Sequence, residues 1–563
     1  YLESKSYKIQ YRVMLSRYRG KTICKSCNGT RLRADTNYVK VDQKSISDIN
    51  NMTIVNALSY FKNLKLDKTD AQIAKRIVHE ISSRLNYLSD VGLGYLKLMR
   101  ASNTLSGGES QRINLATSIG SSLVGSMYIL DEPSIGLHTR DSQKLIKVLK
   151  KLRDVGNTVI VVEHDEEMMK SADMIIDIGP EAGRYGGEIV FKGTHNQLMS
   201  SKKSLTAKYL TGKLAIEVPK VRRKPKDFII IEEAYLHNLK NITVKIPLNQ
   251  ICVITGVSGS GKSTLVGGVL FNFLERYFLT GLEKVSHCKN IKVNLDLING
   301  VEFINQNPIG KSSRSNPITY TKGYDDIRQL FANENHAKSK GFKPGYFSFN
   351  VDGGRCEKCQ GEGQITISMQ FMADVHLTCD DCNGNRFKDD VLEVKFKDKN
   401  ISEVLQMTVE EGLDYFNENN TLCKKIRAKV LALKEVGLEY VQLGQTSNTL
   451  SGGEAQRIKL ASFLCQSKSK QKKLFIFDEP TTGLHFHDIN KLIKALQDLV
   501  EMGHHVIIIE HHMDIIKSAD YLIDLGPEGG IKGGELLFEG NPEDFIKNCN
   551  KNSYTKEYLK EYL

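Results

Sequence analysis

The chain matches itself at a long interval, and that duplication limits its possible folds more than any single motif does. Residues 103–112 read NTLSGGESQR and residues 448–457 read NTLSGGEAQR. Further on, YILDEPSIGLH at 128–138 answers FIFDEPTTGLH at 475–485, VVEH at 161–164 answers IIEH at 508–511, and IDIGP at 176–180 answers IDLGP at 523–527. The interval stays between 345 and 347 residues. Solenoid repeats run about 20 to 50 residues, so a period this long means a duplicated domain. Upstream, CKSCNGTR at 24–31 answers CDDCNGNR at 379–386, at an interval of 355. The second copy carries a glycine-rich loop and a further cysteine pair ahead of that point, and their counterparts would fall at or before Tyr1. A natural protein longer at its N-terminus is therefore expected.

With 563 residues the chain exceeds what one core holds, since single cores stop growing near about 250 to 300 residues. Its 40% hydrophobic and 26% charged residues suit a globular protein and exclude a disordered tail or a collagen-like fibre. No apolar run approaches the roughly 20 residues of a membrane span, and no charged-then-apolar leader opens the sequence. Membrane and secreted classes are thereby disfavoured. The formal net charge of +12 is modest for this length and gains meaning only beside other features. Six of the 11 cysteines form three Cys-x-x-Cys pairs. That spacing suits thiolate metal ligands and a reducing, cytoplasmic setting, not a secreted disulfide scaffold.

Apolar runs at 228–231, 251–254, 474–477 and 506–509 read as strands buried on both faces. Helical periods lie between such runs, as at Leu145, Ile146, Val148, Leu149 and Leu152 after Asp141. Strands alternating with helices predict an α/β fold with a largely parallel sheet. The copies join at 218–226, VPKVRRKPK, which reads as an exposed basic linker. The expected domains are 1–100, the end of a first insertion with half a cysteine module; 101–217, the signature half of the first copy; 218–227, the linker; and 228–270, the phosphate-loop part of the second copy. Beyond these lie an insertion at 271–440, the second signature half at 441–545 and a tail at 546–563.

Residues 256–263, GVSGSGKS, fit G-x-x-x-x-G-K-[ST] between a strand and a helical pattern, the setting this motif requires. Glycines let the backbone turn sharply and aim several N–H groups at one anion at a helix N-terminus. Gly256, Ser258, Gly259, Gly261 and Thr264 would line that anion, Lys262 would reach the β- and γ-phosphates, and Ser263 would ligate Mg²⁺. The strand at 474–477 ends in Asp478 and Glu479, and acids end a buried strand only where cations or protons are handled. Asp478 suits the Mg²⁺ shell and Glu479 suits polarising the attacking water. The first copy offers Asp131 and Glu132 in the same places. Ser106-Gly107-Gly108-Glu109 and Ser451-Gly452-Gly453-Glu454 are S-x-x-E capping boxes, and their paired glycines would also bare a helix N-terminus to a phosphate. His164 and His511 close apolar strands in register with the acid pairs, which favours a γ-phosphate or water contact over a packing role.

Phosphate loop, LSGGE signatures, acid-ended strands and strand-end histidines together resemble the ATP-binding cassette (ABC) ATPases. The resemblance implies two tandem ABC-type nucleotide-binding domains, the first incomplete, that meet head to tail and clamp ATP between the phosphate loop of one and the signature of the other. Lys262, Ser263, Asp478, Glu479 and His511 would then face Ser106, Gly107 and Gly108. The site of Ser451, Gly452, Gly453, Asp131, Glu132 and His164 lacks its phosphate loop in this sequence. Gln306, in NQNP at 305–308, matches the cassette glutamine that links ATP to an inserted domain.

Cys356 and Cys359, then nineteen residues, then Cys379 and Cys382 have the spacing of a four-cysteine Zn²⁺ module. Zn²⁺ is borderline soft and accepts four thiolates tetrahedrally, and such a closed site is structural. A redox reading is weaker, because one pair would suffice. Cys24 and Cys27 stand as half of a second module or as free thiols. The segments IGKSSRSNPITY at 309–320, FSFNVDGGRC at 347–356 and NTLSGGEAQR at 448–457 resemble the UvrA family, the damage sensors of the UvrABC excision nuclease, with a likeness spanning the chain. It implies inserted zinc-binding and DNA-binding modules, and an ATPase that binds damaged duplex DNA as a homodimer, loads the UvrB component and cuts no DNA itself. Lys311 and Arg314 would touch DNA, Lys311 replacing the usual arginine and so losing bidentate geometry. Such phosphate contacts are sequence-blind and salt-sensitive, leaving lesion recognition to duplex deformability. A drug-resistance paralogue of the same family would retain these features. A non-enzymatic zinc scaffold leaves the coexistence of Lys262, Asp478 and Glu479 unexplained.

Overall fold

Six strands build the central sheet of the second copy: Ile251–Thr255 (β1), Val301–Ile304 (β2), Leu474–Asp478 (β3), His505–Ile509 (β4), Tyr521–Gly526 (β5) and Glu535–Gly540 (β6). Their order is β2-β3-β4-β1-β5-β6, with β6 antiparallel and the rest parallel. Every residue of β1 and β4 is buried, as a parallel sheet covered on both faces demands. Alternate residues serve two cores. Val253, Phe475, Phe477, Val506 and Ile508 face the larger one, while Cys252, Ile254, Leu474, Ile476 and Ile507 face the other with Leu265 and Val266. Parallel strands place their C-terminal ends along one edge, so the phosphate loop after β1, the acids ending β3 and His511 after β4 are neighbours.

The computed structural model describes Ser4, Tyr11, Leu15 and residues 22–105, 107–120, 124–283, 285–305, 307, 309–310, 314–367, 375–465 and 471–563. They divide into two compact units, Tyr1–Leu123 and Val124–Leu563. In the first, helices Ile54–Lys62, Lys68–Asp90 and Gly107–Gly120 pack in succession. Ala57, Leu85, Leu93 and Leu115 are buried there.

In the second unit the first copy repeats the local geometry of the second. Met127–Asp131 pairs parallel with Thr158–Val162 in the register of β3 with β4, 347 residues earlier. Ile175–Gly179 pairs antiparallel with Glu188–Gly193 as β5 does with β6, with a bulge after Asp177 matching the one after Asp524. Helix Thr139–Asp154 buries the five expected apolar residues.

One expectation changes and three others gain detail. The run at 228–231 belongs to Phe228–Ala234, the middle strand of an antiparallel three-stranded sheet, and buries only alternate residues. Phe228 and Ile230 are apolar yet half-buried, so four apolar residues in a row hid the alternation. The helical pattern after the phosphate loop begins as a π-helix, Thr264–Phe271, before the α-helix Asn272–Thr280. The basic linker is largely exposed but anchored at two arginines: Arg222 donates to Glu543 and to the Lys517 carbonyl, and Arg223 pairs with Asp520 at 3.1 Å. The tail contains helix Tyr554–Leu559, which buries Thr555 and Leu559. No described helix is long and apolar enough to cross a membrane.

Candidate functional site

The phosphate loop needs its glycines. Gly256, Gly259 and Gly261 have φ of 126°, 76° and 112°, and a Cβ on Gly256 would lie 1.9 Å from the Leu525 carbonyl oxygen. A second segment braces the loop: Gly530 N–H donates to Gly259 O and Gly534 N–H to Ser260 O, each at 3.0 Å. Lys262 is buried, and its Nζ donates to the carbonyls of Gly256 at 2.8 Å and Val257 at 3.0 Å. Burial lowers its pKa to about 8, while Glu479, Asp478 and Asp524 pull the other way. Burial likewise pushes Asp478 up to about 6 against the pull of Lys262. Ser263 leads into the π-helix that Thr264 opens. An ammonium satisfied by its own loop carbonyls, beside carboxylates, fits a phosphate chain carrying a divalent cation.

Both acids after the Asp are held in a left-handed backbone, Glu132 at φ 45° and Glu479 at φ 48°. A non-glycine residue there costs roughly 1 to 2 kcal/mol and is held only by its surroundings. Here one anchor is the next strand, since Glu132 N–H donates to Val162 O and Glu479 N–H to Ile509 O, each at 2.9 Å. His164 Nε2 lies 3.9 Å from Glu132 Oε1 and His511 Nε2 lies 3.9 Å from Glu479 Oε1. Beneath them Glu510 accepts the N–H groups of His511 at 2.6 Å, His512 at 3.0 Å and Thr481 at 3.0 Å. Glu163 does the same in the first copy for His164, Asp165 and Ser134. These two glutamates were not singled out from sequence, although VVEH and IIEH repeat them.

The loop after each acid pair lies against the other copy. Ser258 Oγ donates to Gly136 O at 2.9 Å. A Cβ on Gly136 would meet Glu479 Oε2 at 2.9 Å, and one on Gly483 would meet Glu132 Oε1 at 2.9 Å. Arg140 forks onto Glu528 at 3.0 and 2.9 Å, with Tyr554 donating to the same carboxylate. Asp131 and His164 are more exposed than Asp478 and His511.

At the second signature Ser451 forms the expected capping box with Glu454 and opens helix Gly452–Leu464. Gly453 allows close approach, a Cβ there meeting Thr482 O at 2.5 Å. Gln456 is a further site residue: its Nε2 donates to Ile304 O at 3.2 Å and Asp478 O at 3.1 Å, tying the ends of β2 and β3. The glutamine shared by both signature blocks was its signal. In the first unit Gly107 and Gly108 open helix Gly107–Gly120, and Tyr95 donates to Glu109 as Tyr440 does to Glu454. Ser106, Gln306 and Lys311 lie outside the described residues.

The cysteines converge as their spacing implied. Cys356, Cys359, Cys379 and Cys382 are buried with their sulfurs within 4.8 Å of one another. Cys356 to Cys379 measures 3.9 Å and Cys359 to Cys382 3.6 Å. Two thiolates on one tetrahedral Zn²⁺ with bonds of about 2.3 Å stand about 3.8 Å apart, so these four would hold zinc. Left-handed Gln360-Gly361 and Asn383-Gly384 turn the chain after each pair, and Gly363 N–H donates to Cys359 Sγ at 3.3 Å. Asn28-Gly29 makes the same turn after Cys24 and Cys27. Among the described residues those two join no cluster of three or more donors. Arg314 is half-buried and lies 3.9 Å from Glu362, beside the zinc module.

A parallel sheet with phosphate loop, acids and histidine on one edge, joined to a four-cysteine cluster, defines an ABC-ATPase-like α/β fold with a zinc-type centre. No model of a known protein family matches the chain. It is 51% identical over 550 residues to UvrABC system protein A of Clostridium perfringens, covering 98% of this chain and 58% of that protein. It is 52% identical over 543 residues to the same protein of Aquifex aeolicus, at 96% and 58% coverage. The crystal structure of UvrA2 from Deinococcus radiodurans superposes with a TM-score of 0.90 at 37% identity, covering 98% of this chain and 67% of that one. The chain belongs to the UvrABC system protein A family and spans 58% of the length of the curated relatives it matches.

Proposed function

We propose that this chain is part of an ATP-hydrolysing DNA-damage sensor of nucleotide excision repair, built from two tandem cassettes of which it holds one phosphate loop. The observation that carries the reading is the reciprocal seating of each copy's post-acid loop on the other copy's glutamate, with buried Lys262 at its centre. Lys262 and the loop N–H groups bind phosphate, Ser263 and Asp478 hold Mg²⁺, Glu479 orients and polarises the attacking water, and His511 steadies that arrangement. Mg²⁺ supplies charge neutralisation at the phosphates when bound. The first copy contributes Gly136 O to Ser258. The four cysteines would hold Zn²⁺ as a structural brace, and Arg314 beside them would contact DNA phosphate. Duplex DNA, the UvrB component of the UvrABC system and a second copy of the protein are the partners this reading assigns.

The test is ATP hydrolysis by Lys262→Ala. Turnover should fall to background while the circular dichroism spectrum is kept; turnover equal to the parent chain would refute the assignment.

A further inference from the structure

Each copy caps a helix with a histidine that also reaches the other copy. His138 precedes helix Thr139–Asp154 and its Nδ1 accepts Arg140 N–H at 3.3 Å. His485 precedes helix Phe486–Glu501 and its Nδ1 accepts His487 N–H at 3.3 Å. In a neutral imidazole an accepting Nδ1 leaves the proton on Nε2. Burial keeps His138 neutral: its exposure is 0%, and its pKa is driven down to about 4 by desolvation, with Lys262 and Arg140 adding to the effect and Asp141 opposing it.

The direction of the next bonds follows. His138 Nε2–H meets Thr555 Oγ1 at 3.2 Å, and His485 Nε2–H meets Thr206 Oγ1 at 3.1 Å. Each threonine hydroxyl then turns its own proton to an aspartate, Thr555 to Asp524 at 3.3 Å and Thr206 to Asp177 at 3.2 Å. Ser553 and Ser204 donate to the other oxygens of those carboxylates. Asp524 pairs in register with Thr255, the residue before the phosphate loop. The His138 ring also stands edge-on to His511 with centroids 5.9 Å apart, and His485 stands likewise against His164 at 6.3 Å. Helix capping alone does not ask for this, since Ser, Thr, Asp and Asn are the preferred caps and a cap uses only one ring nitrogen.

We propose that His138 and Thr555 are positioning residues for His511 and the phosphate loop, joined in a directed relay from the first copy's helix to Asp524 of the second. His485, Thr206 and Asp177 form its mirror. The relay rests on the ATPase reading above. It couples the seating of one copy's loop to the placement of the other copy's strand-end histidine, so that the site is set only when both copies are in register.

Steady-state ATP turnover of the whole chain tests it. Thr555→Val keeps shape and removes the hydroxyl; kcat should fall on the order of ten- to a hundredfold, the scale of a small misplacement of reacting groups, with KM changed less than about twofold. Thr555→Ser should restore kcat. Unchanged kcat in Thr555→Val, in a chain that Lys262→Ala silences, overturns the relay and leaves the ATPase reading intact. Turnover that survives Lys262→Ala strikes the ATPase reading instead. The relay is then read without nucleotide by ¹⁵N NMR of labelled histidines. His138 as the Nε2–H tautomer, losing that preference in Thr555→Val, upholds it; an Nδ1–H tautomer overturns it.

Discussion

At the scale of single residues the site depends on atoms that a side chain would displace. Gly136 has φ 66°, and a Cβ there would press on Glu479 Oε2 at 2.9 Å. Gly136→Ala therefore costs about 1 kcal/mol of backbone strain and moves the carboxylate proposed to polarise water. Steady-state kinetics should show kcat reduced several-fold with nucleotide affinity retained. His138 makes stability depend on pH. Its folded pKa of about 4 lies below the ordinary value of 6.5, so below pH 6.5 the unfolded chain binds the extra proton. The His138 contribution is unaffected above that pH and is progressively lost between 6.5 and 4, by at most on the order of 3 kcal/mol. Urea unfolding at pH 7 and pH 5 should show a smaller loss in His138→Asn, which keeps a capping acceptor, than in the parent chain. Lys262 was legible from its glycine-rich motif, and the acid pairs and the strand-end histidines because each is a chemically costly residue repeated in register. Glu163 and Glu510 were less so, because their work is done on backbone N–H groups that no side-chain pattern reveals.

At the scale of elements, legibility followed burial. β1, β3 and β4 read correctly because two covered faces leave no polar alternation. Phe228–Ala234 misled because half-exposed Phe228 and Ile230 are themselves apolar. The linker is exposed at Lys220, Val221, Lys224, Pro225 and Lys226, as charge and proline signal, but Arg222 finds carbonyls and Glu543 waiting in the second copy. The four-cysteine module read well, since its glycine turns are local. Replacing Cys356 and Cys379 by serine should lower bound zinc, measured by elemental analysis, from one ion to none, and should make the 356–382 region sensitive to protease. Full zinc retention would count against the cluster as the metal site.

At the scale of the whole molecule, the net charge of +12 is tested where single cations are placed. Arg314 stands beside the zinc module at Glu362. Lys311→Ala with Arg314→Ala should weaken duplex binding and flatten the slope of log affinity against log salt by up to about 2, as two lost phosphate contacts require. Fluorescence anisotropy across a salt series measures both. The sequence by itself determined the duplication, the alternation of buried strands with helices and the convergence of four cysteines, because periodicity and ligand spacing are local properties of a chain. Tertiary structure alone decided that each copy's loop lies on the other copy's glutamate, that Arg222 docks, and that Thr555, in a supposed tail, meets His138. Those contacts join residues hundreds of positions apart, and only packing, which follows shape and hydrogen-bond direction, could select them.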